Sequence, residues 1–260
     1  MLNTTKISAV VFALIFVSST FAAEDAPGYT DTPLIPGSKW KVHDQARPQP
    51  PKVEPGSGDL GQTPPSDAIV LFDGTNLDRW KGSDDATKKS GIKDGAIDII
   101  ATGQLVTVEE FGDCQLHIEW RTPTEPQDRM NWGNSGVMML GCIEVQIIES
   151  HDSFIYADGN AGAIYGQNPP LVNPTRKPGQ WQSFDILFTA PKMENGKQVQ
   201  PAYVTLLYNG VMVQNHTEVL GKAAHRDVPA PLDAEKGPIL LQQHGSAVQF
   251  RNIWIRPLVQ

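Results

Sequence analysis

Cys114-Gln115-Leu116-His117-Ile118-Glu119-Trp120-Arg121 alternates apolar and polar side chains. Successive side chains of a strand point to opposite faces, so Leu116, Ile118 and Trp120 share one face and Gln115, His117, Glu119 and Arg121 the other. One apolar face and one polar face suit an antiparallel sheet packed on one side. The same texture extends outward. Short apolar or β-branched runs with turn residues between them recur at 68–72, 96–101, 104–108, 136–140, 143–148, 181–189, 202–208, 211–214, 239–243 and 248–255. Asn209-Gly210 joins two of these runs, and both residues tolerate the positive φ of a two-residue hairpin turn. No stretch of a dozen residues carries an amphipathic helical pattern, and a turn or two of helix is expected only over 217–224. The expected fold is all-β, a two-sheet antiparallel sandwich of jelly-roll type.

Composition narrows the function. The 260 residues hold 29 acids and 21 bases, a net charge of −8, which argues against a nucleic-acid partner. Two cysteines exclude a disulfide-dense scaffold, and without a C-x-x-C pair there is no thiolate zinc cluster. Residues 1–22 read as a signal peptide: Lys6, an apolar run from Ala9 to Val17, and small residues before a cleavage site after Ala22. The run is too short to span a bilayer comfortably, so no membrane span is expected after its removal. The mature chain is expected to be exported, periplasmic or extracellular. In that setting the spacing of Cys114 and Cys142 suits a disulfide as well as a pair of buried thiols.

Residues 23–66 lack hydrophobic periodicity and are dense in proline, so they read as an extended arm or linker before a domain at 67–260. Trp40 is the residue expected to staple the arm to the domain. Gly56-Ser-Gly-Asp-Leu-Gly61 matches G-x-G-x-x-G by chance, since no strand precedes it and prolines follow.

The polar faces of several strands carry groups suited to sugar hydroxyls. Glu144 and Gln146 alternate with Ile143, Val145 and Ile147, and Gln242 and His244 share a face with Leu240. By the same parity, Gln249 and Arg251 share a face with Ile253 and Ile255. Trp80, Trp132, Trp181 and Trp254 supply aromatic surface, as core or as sugar platforms. Glu144 and Glu149 recur at the spacing of a β-glucanase pair and would share a face only through a β-bulge. Gln146 stands where such enzymes carry the central Asp. Glu149, His151 and Asp152 are close enough to offer two metal ligands but read as a polar loop. His43, His216 and His225 read as surface groups. There is no G-x-S-x-G elbow, H-E-x-x-H or phosphate loop.

Several motifs then fall in a specific order: Leu71-Phe-Asp-Gly-Thr-Asn-Leu77 with Trp80, Asn134-Ser-Gly-Val137, Glu144-Val-Gln-Ile147, Gly162-Ala-Ile-Tyr-Gly166, Pro178-Gly-Gln-Trp181, Asn209-Gly210, Leu241-Gln-Gln-His-Gly245 and Phe250-Arg-Asn-Ile253. In this order they resemble the 3-keto-disaccharide hydrolase domain family over about 68–258. The resemblance implies a concanavalin A-like jelly roll, of the lectin and glucanase type, acting on oxidised glycosides. Departures are Glu149 where the family often has Asp, Ile143 in place of an aromatic, and Gln182 after the tryptophan motif.

A ketone at C3 of a sugar acidifies the C2 hydrogen. A base can take that proton, the glycosidic oxygen can leave C1, and water can add afterwards. Such a site needs a base, an acid and an electrophile at the C3 oxygen. The expected catalytic residues are Glu144 and His244, either of which could also hold a divalent metal ion. The expected binding residues are Gln146, Gln242, Asn134, Tyr165, Arg251 and Glu119, with a glycoside or oligosaccharide as partner. Arg251 and Glu119 have a second reading, as a cross-strand ion pair. The competing functions are a two-carboxylate β-glycosidase and a non-catalytic carbohydrate-binding module.

Overall fold

A computed structural model describes residues 27–57, 59–82, 91–128 and 130–258. The segment read as a signal peptide lies outside the described residues. The strands are β1 (Ile69–Phe72), β2 (Trp80–Lys81), β3 (Ile92–Lys93), β4 (Ala96–Asp98), β5 (Leu105–Thr107), β6 (Cys114–Arg121), β7 (Ser135–Met139), β8 (Ile143–Ile147), β9 (Gln182–Thr189), β10 (Lys192–Glu194), β11 (Lys197–Gln200), β12 (Ala202–Tyr208), β13 (Val211–Val219), β14 (Leu240–Leu241) and β15 (Gln249–Pro257). The larger sheet runs β13-β12-β9-β6-β15-β4-β3, with β1 also on β15, and the smaller runs β2-β5-β14-β7-β8. All their pairings are antiparallel.

Alternation builds the core as expected. Leu116, Ile118 and Trp120 of β6, Phe184, Ile186 and Phe188 of β9, and Val204, Leu206 and Tyr208 of β12 face inward from the larger sheet. Val137 and Met139 of β7 with Ile143, Val145 and Ile147 of β8 meet them from the smaller sheet in one apolar cluster. The result is the expected jelly-roll sandwich.

Turn chemistry sets the hairpins. Tyr208 pairs with Val211 across Asn209-Gly210, whose φ values are 51° and 76°. Asp94-Gly95 and Asn195-Gly196 close β3–β4 and β10–β11 in the same way, with φ of 51° and 73°, and 51° and 72°. Those two hairpins carried the same dipeptide signal as Asn209-Gly210 and were missed because their strands are so short.

Three local expectations need correction. The run at 96–101 is a strand only to Asp98, whose carboxylate accepts from the Ile100 and Ala101 amides and caps a single helical turn, α1 (Ile99–Thr102). The expected helical turn at 217–224 is instead the end of β13 followed by loop. Its strand continues past a register shift beside His216, whose φ is 48°. In β15 the register shifts between Arg251 and Trp254, where Asn252 has φ 46°. That bulge reverses the parity, so Ile253 and Ile255 enter the core while Arg251 lies on the outer face with Trp254.

The arm is laid on the domain. Ile35, Val42 and His43 are buried, whereas Trp40 is only half-buried, so the anchoring falls on those three residues. Further along, Asp59 pairs with Arg176 and accepts from the Ser183 hydroxyl, and the Gly61 amide donates to Glu119. The Gly-rich stretch is therefore a clasp. Beneath it His117 lies 2.7 Å from Asp185 and 3.6 Å from Glu119. Burial alone would push the imidazole pKa down, but these two carboxylates hold it up at about 9.

Cys114 and Cys142 are free thiols. Cys114 sits in the core, where burial pushes its pKa up to about 12, the setting of an inert thiol.

Candidate active site

The alternation of β8 turns Glu144 and Gln146 away from the core. They form the floor of a pocket of about 240 Å³ on the outer face of the smaller sheet. Asn134, Tyr165, Gln242 and His244 also line it, so six of the eight expected site residues converge. Met138, Ala223, Ala224 and His225 complete the lining.

Local pairing brings each piece in. Residues 162–165 run along the free edge of β8. The Gly162 and Tyr165 amides donate to the Gln146 and Glu144 carbonyls, and the Gln146 amide donates to the Ala163 carbonyl. This pairing sets Tyr165 beside Glu144 and explains why the motif is glycine-bounded, with φ of 81° at Gly162 and 70° at Gly166. The Gln242 amide donates to the Gly136 carbonyl and the Ala223 amide to the Cys142 carbonyl, fixing the opposite walls. Gly136 makes room for Glu144, since a Cβ there would stand 2.7 Å from its Oε1.

Glu144 is 6% exposed and makes no side-chain hydrogen bond or ion pair among the described residues. Burial lifts its pKa to about 7. The Gln146 Oε1 accepts from the Ile147 amide, which leaves the amide NH2 to the pocket. Gln242 Oε1 is buried without a hydrogen-bond partner, an open acceptor for a hydroxyl. The Tyr165 hydroxyl lies 2.9 Å from the Tyr156 hydroxyl and 2.9 Å from His225 Nδ1. Burial raises the Tyr165 pKa, so the phenol stays protonated. Partial burial, with His43, Arg226 and His244 nearby, lowers the pKa of His225, so its ring is neutral at pH 7. His244 stands exposed at the rim.

Two expected residues belong elsewhere. Glu119 and Arg251 pair across β6 and β15 on the outer face of the larger sheet, Nε to Oε2 at 2.7 Å. Burial tends to raise the Glu119 pKa, but His117, Asn252, the Gly61 amide and Arg251 outweigh it and hold it at about 2. This is the cross-strand ion pair, and it does not reach the pocket. Glu149 also stays apart. Regular pairing of β7 with β8 leaves no bulge, and the Glu149 carboxylate accepts from the His151, Asp152 and Ser153 amides. The tryptophans are no sugar platform here: Trp80, Trp132 and Trp254 are buried, and the Trp181 ring carries the guanidinium groups of Arg121 and Arg251.

Sequence reasoning missed His225 and Tyr156, and placed the buried His43 on the surface. No local pattern could have found them, because a single His or Tyr in a loop carries no periodicity. The metal expectation finds no matching donor set. Among the described residues no three His, Cys, Asp or Glu side chains gather as a cation site. Glu144 and His244 alone do not make a cage for a divalent ion.

A jelly roll with one raised carboxylate among amides, a tyrosine and imidazoles suits a carbohydrate-active enzyme, and the family of the chain makes it one. The chain belongs to the family of the 3-keto-alpha-glucoside-1,2-lyase-like domain, whose model matches residues 67–256. It is similar to a proposed glycosyl hydrolase from Parabacteroides distasonis ATCC 8503, at 40% identity and TM-score 0.71, covering 82% of this chain and 93% of that one. A second structure described in the same words and from the same organism shares the fold at 23% identity and TM-score 0.50, covering 74% of this chain and 99% of that one. A comparison with curated proteins gives no match. Among the described residues no helix is long and apolar enough to cross a membrane.

Proposed function

We propose that this protein cleaves 3-keto-glycosides by elimination, with Glu144 as the base. The observation that carries the proposal is a lone carboxylate: Glu144 is buried and raised to about 7, and among the described residues it is unpaired and no other acid lines its pocket. A conventional glycosidase needs two carboxyl groups across the sugar, and Glu149 is committed to backbone amides. Elimination from a keto sugar needs only one base of that kind, and a pKa near the working pH suits it.

In this reaction Glu144 takes the C2 proton and the C2 electron pair becomes an enolate with the C3 ketone. The enolate re-forms the ketone and a C1–C2 double bond while the glycosidic oxygen leaves C1 with a proton. His244 at the rim is the acid for that oxygen. The Gln146 amide and the protonated Tyr165 are the donors for the C3 oxygen. Gln242 Oε1 accepts from a ring hydroxyl. Addition of water to the double bond completes a net hydrolysis. The pocket, at about 240 Å³, is smaller than the roughly 300–1,000 Å³ of sites for drug-sized ligands. One ring fits inside and the remainder of the glycoside lies outside.

The test is incubation of the mature protein with a 3-keto-glucoside and with its unoxidised parent, with and without EDTA, read by mass spectrometry. Cleavage of the keto compound alone is expected. Cleavage of the parent overturns the elimination mechanism, and loss of activity in EDTA would return Glu144 and His244 to the role of metal ligands. Saturable binding with no product from either sugar would make the protein a binding module.

Export is part of the same proposal. Produced with its own residues 1–22 in a Gram-negative host, the protein is expected in the periplasm with Ala23 as its amino terminus. An intact amino terminus on cytoplasmic protein would overturn it.

A further inference from the structure

We propose that the amino-terminal arm is a working part of the pocket, with His43 as a positioning residue that holds Tyr165 and His225 in the wall of the Glu144 pocket. This rests on the pocket around Glu144 being the reaction site. His43 lies outside the 67–256 span matched by the family, so the arm brings a contribution that the domain itself does not contain.

The geometry is specific. His43 is fully buried. Asp158 grips it twice: Oδ2 accepts from the His43 amide at 3.0 Å, and Oδ1 lies 3.0 Å from the ring Nδ1. The backbone there has φ 53°, a left-handed conformation that a residue with a side chain holds only where its surroundings impose it. The gripped ring lies against Tyr156 at 3.9 Å between centroids, and stands 4.8 Å from Tyr165 and 5.5 Å from His225. Tyr156 in turn holds the Tyr165 hydroxyl, and that hydroxyl holds His225 Nδ1. The arm therefore reaches the lining of the pocket through one continuous set of ring contacts.

Packing alone does not account for an imidazole at this position. Its Nε2 is buried without a hydrogen-bond partner, a cost that a phenyl or aliphatic side chain would avoid. The groups facing His225 are Tyr29, Tyr165, His43, Arg226 and His244. His43 is among those that keep His225 neutral, so loss of its ring should alter both the direction and the protonation of the Tyr165–His225 pair.

The test uses the full mature chain carrying His43→Asn. Asparagine can still donate to Asp158 from a side-chain nitrogen, so the arm stays docked, but it has no ring to lay on Tyr156. Two readouts are taken: kcat and KM on a 3-keto-glucoside, and the titration of the His225 ring by NMR. The expected result is a kcat lower by roughly 10- to 100-fold with KM changed less, and a His225 titration moved to higher pH. Wild-type kcat together with an unmoved titration would overturn the proposal and leave His43 as arm anchoring only. If His43→Asn does not fold, His43→Gln, which likewise has no ring to lay on Tyr156, is read by the same titration, where no shift again overturns it. The titration needs no substrate, so it decides the matter even if the wild-type protein proves inactive on keto sugars.

Discussion

Glu144→Gln will abolish turnover and at the same time stabilise the protein at pH 8, while leaving its stability at pH 4 unchanged. The loss of activity follows from removing the one carboxylate that lines the pocket among the described residues, and a general base is typically worth about 10²–10⁴ in rate. The gain in stability follows from linkage. The carboxyl is raised by burial from an ordinary 4.5 to about 7. Below pH 4.5 it is protonated in the folded and the unfolded chain, so it costs nothing. As pH rises from 4.5 through 7, the unfolded chain ionises first and the folded chain pays a growing penalty, complete above about pH 7. At about 1.4 kcal/mol per pH unit, that interval is on the order of 3 kcal/mol. Glutamine has the same shape and no proton to lose, so it escapes the penalty. For a chain of this size the gain corresponds to a melting temperature higher by roughly 6–10 °C at pH 8. Thermal melts at pH 4, 6 and 8, paired with turnover assays, decide it. Retained turnover removes Glu144 from the chemistry, and a pH-independent difference in melting shows that the carboxylate is not isolated by burial.

Asp59→Ala is expected to be the most destabilising single change in the arm. Asp59 and Arg176 pair through both guanidinium nitrogens with side chains only 8% and 15% exposed. Ser183 donates to the same carboxylate, and Arg176 also reaches Asn209 and the carbonyls of Gly56 and Trp181. Deleting one partner leaves a guanidinium in a poorly solvated site, a change that typically costs about 3–5 kcal/mol. The melting temperature should fall by roughly 10 °C at pH 7. Burial pushes the Asp59 pKa up, but the hydrogen bonds from Arg176 and Ser183 outweigh it and hold the group below its ordinary value. A carboxyl with a lowered pKa contributes stability above its unfolded pKa and loses it as pH falls through the folded one. The gap between wild type and Asp59→Ala should therefore narrow on the acid side. A change within about 0.5 kcal/mol at pH 7, the scatter of ordinary surface substitutions, would mean that the clasp contributes nothing.

The arm shows where local reading stops. Proline density at 48–51 correctly argues against helix and strand there. It says nothing about Asp59 meeting Arg176 more than a hundred residues later, or about His43 meeting Asp158. Those contacts have no period and no spacing rule. The same limit applies to Glu119 and Arg251. Their types suit sugar hydroxyls, and only the order of strands places them on the sheet opposite the Glu144 pocket.

What the sequence determined by itself is whatever follows from a period of two and from turn chemistry. Alternation put Leu116, Ile118 and Trp120 in the core and turned Glu144 and Gln146 out of it, and Asn209-Gly210 specified its hairpin. These outcomes depend on neighbours in the chain, because side-chain direction and positive φ are properties of a few consecutive residues. Tertiary structure alone decided which polar face gathered Glu144, Gln146, Tyr165, Gln242 and His244 into one pocket. It set the bulge at Asn252 that reversed β15, the separation of Glu149 from Glu144, and the stack of His43, Tyr156, Tyr165 and His225. Those depend on which strands pair and on what covers them. Both are fixed by burial summed over the whole chain, a quantity that no short window of residues carries.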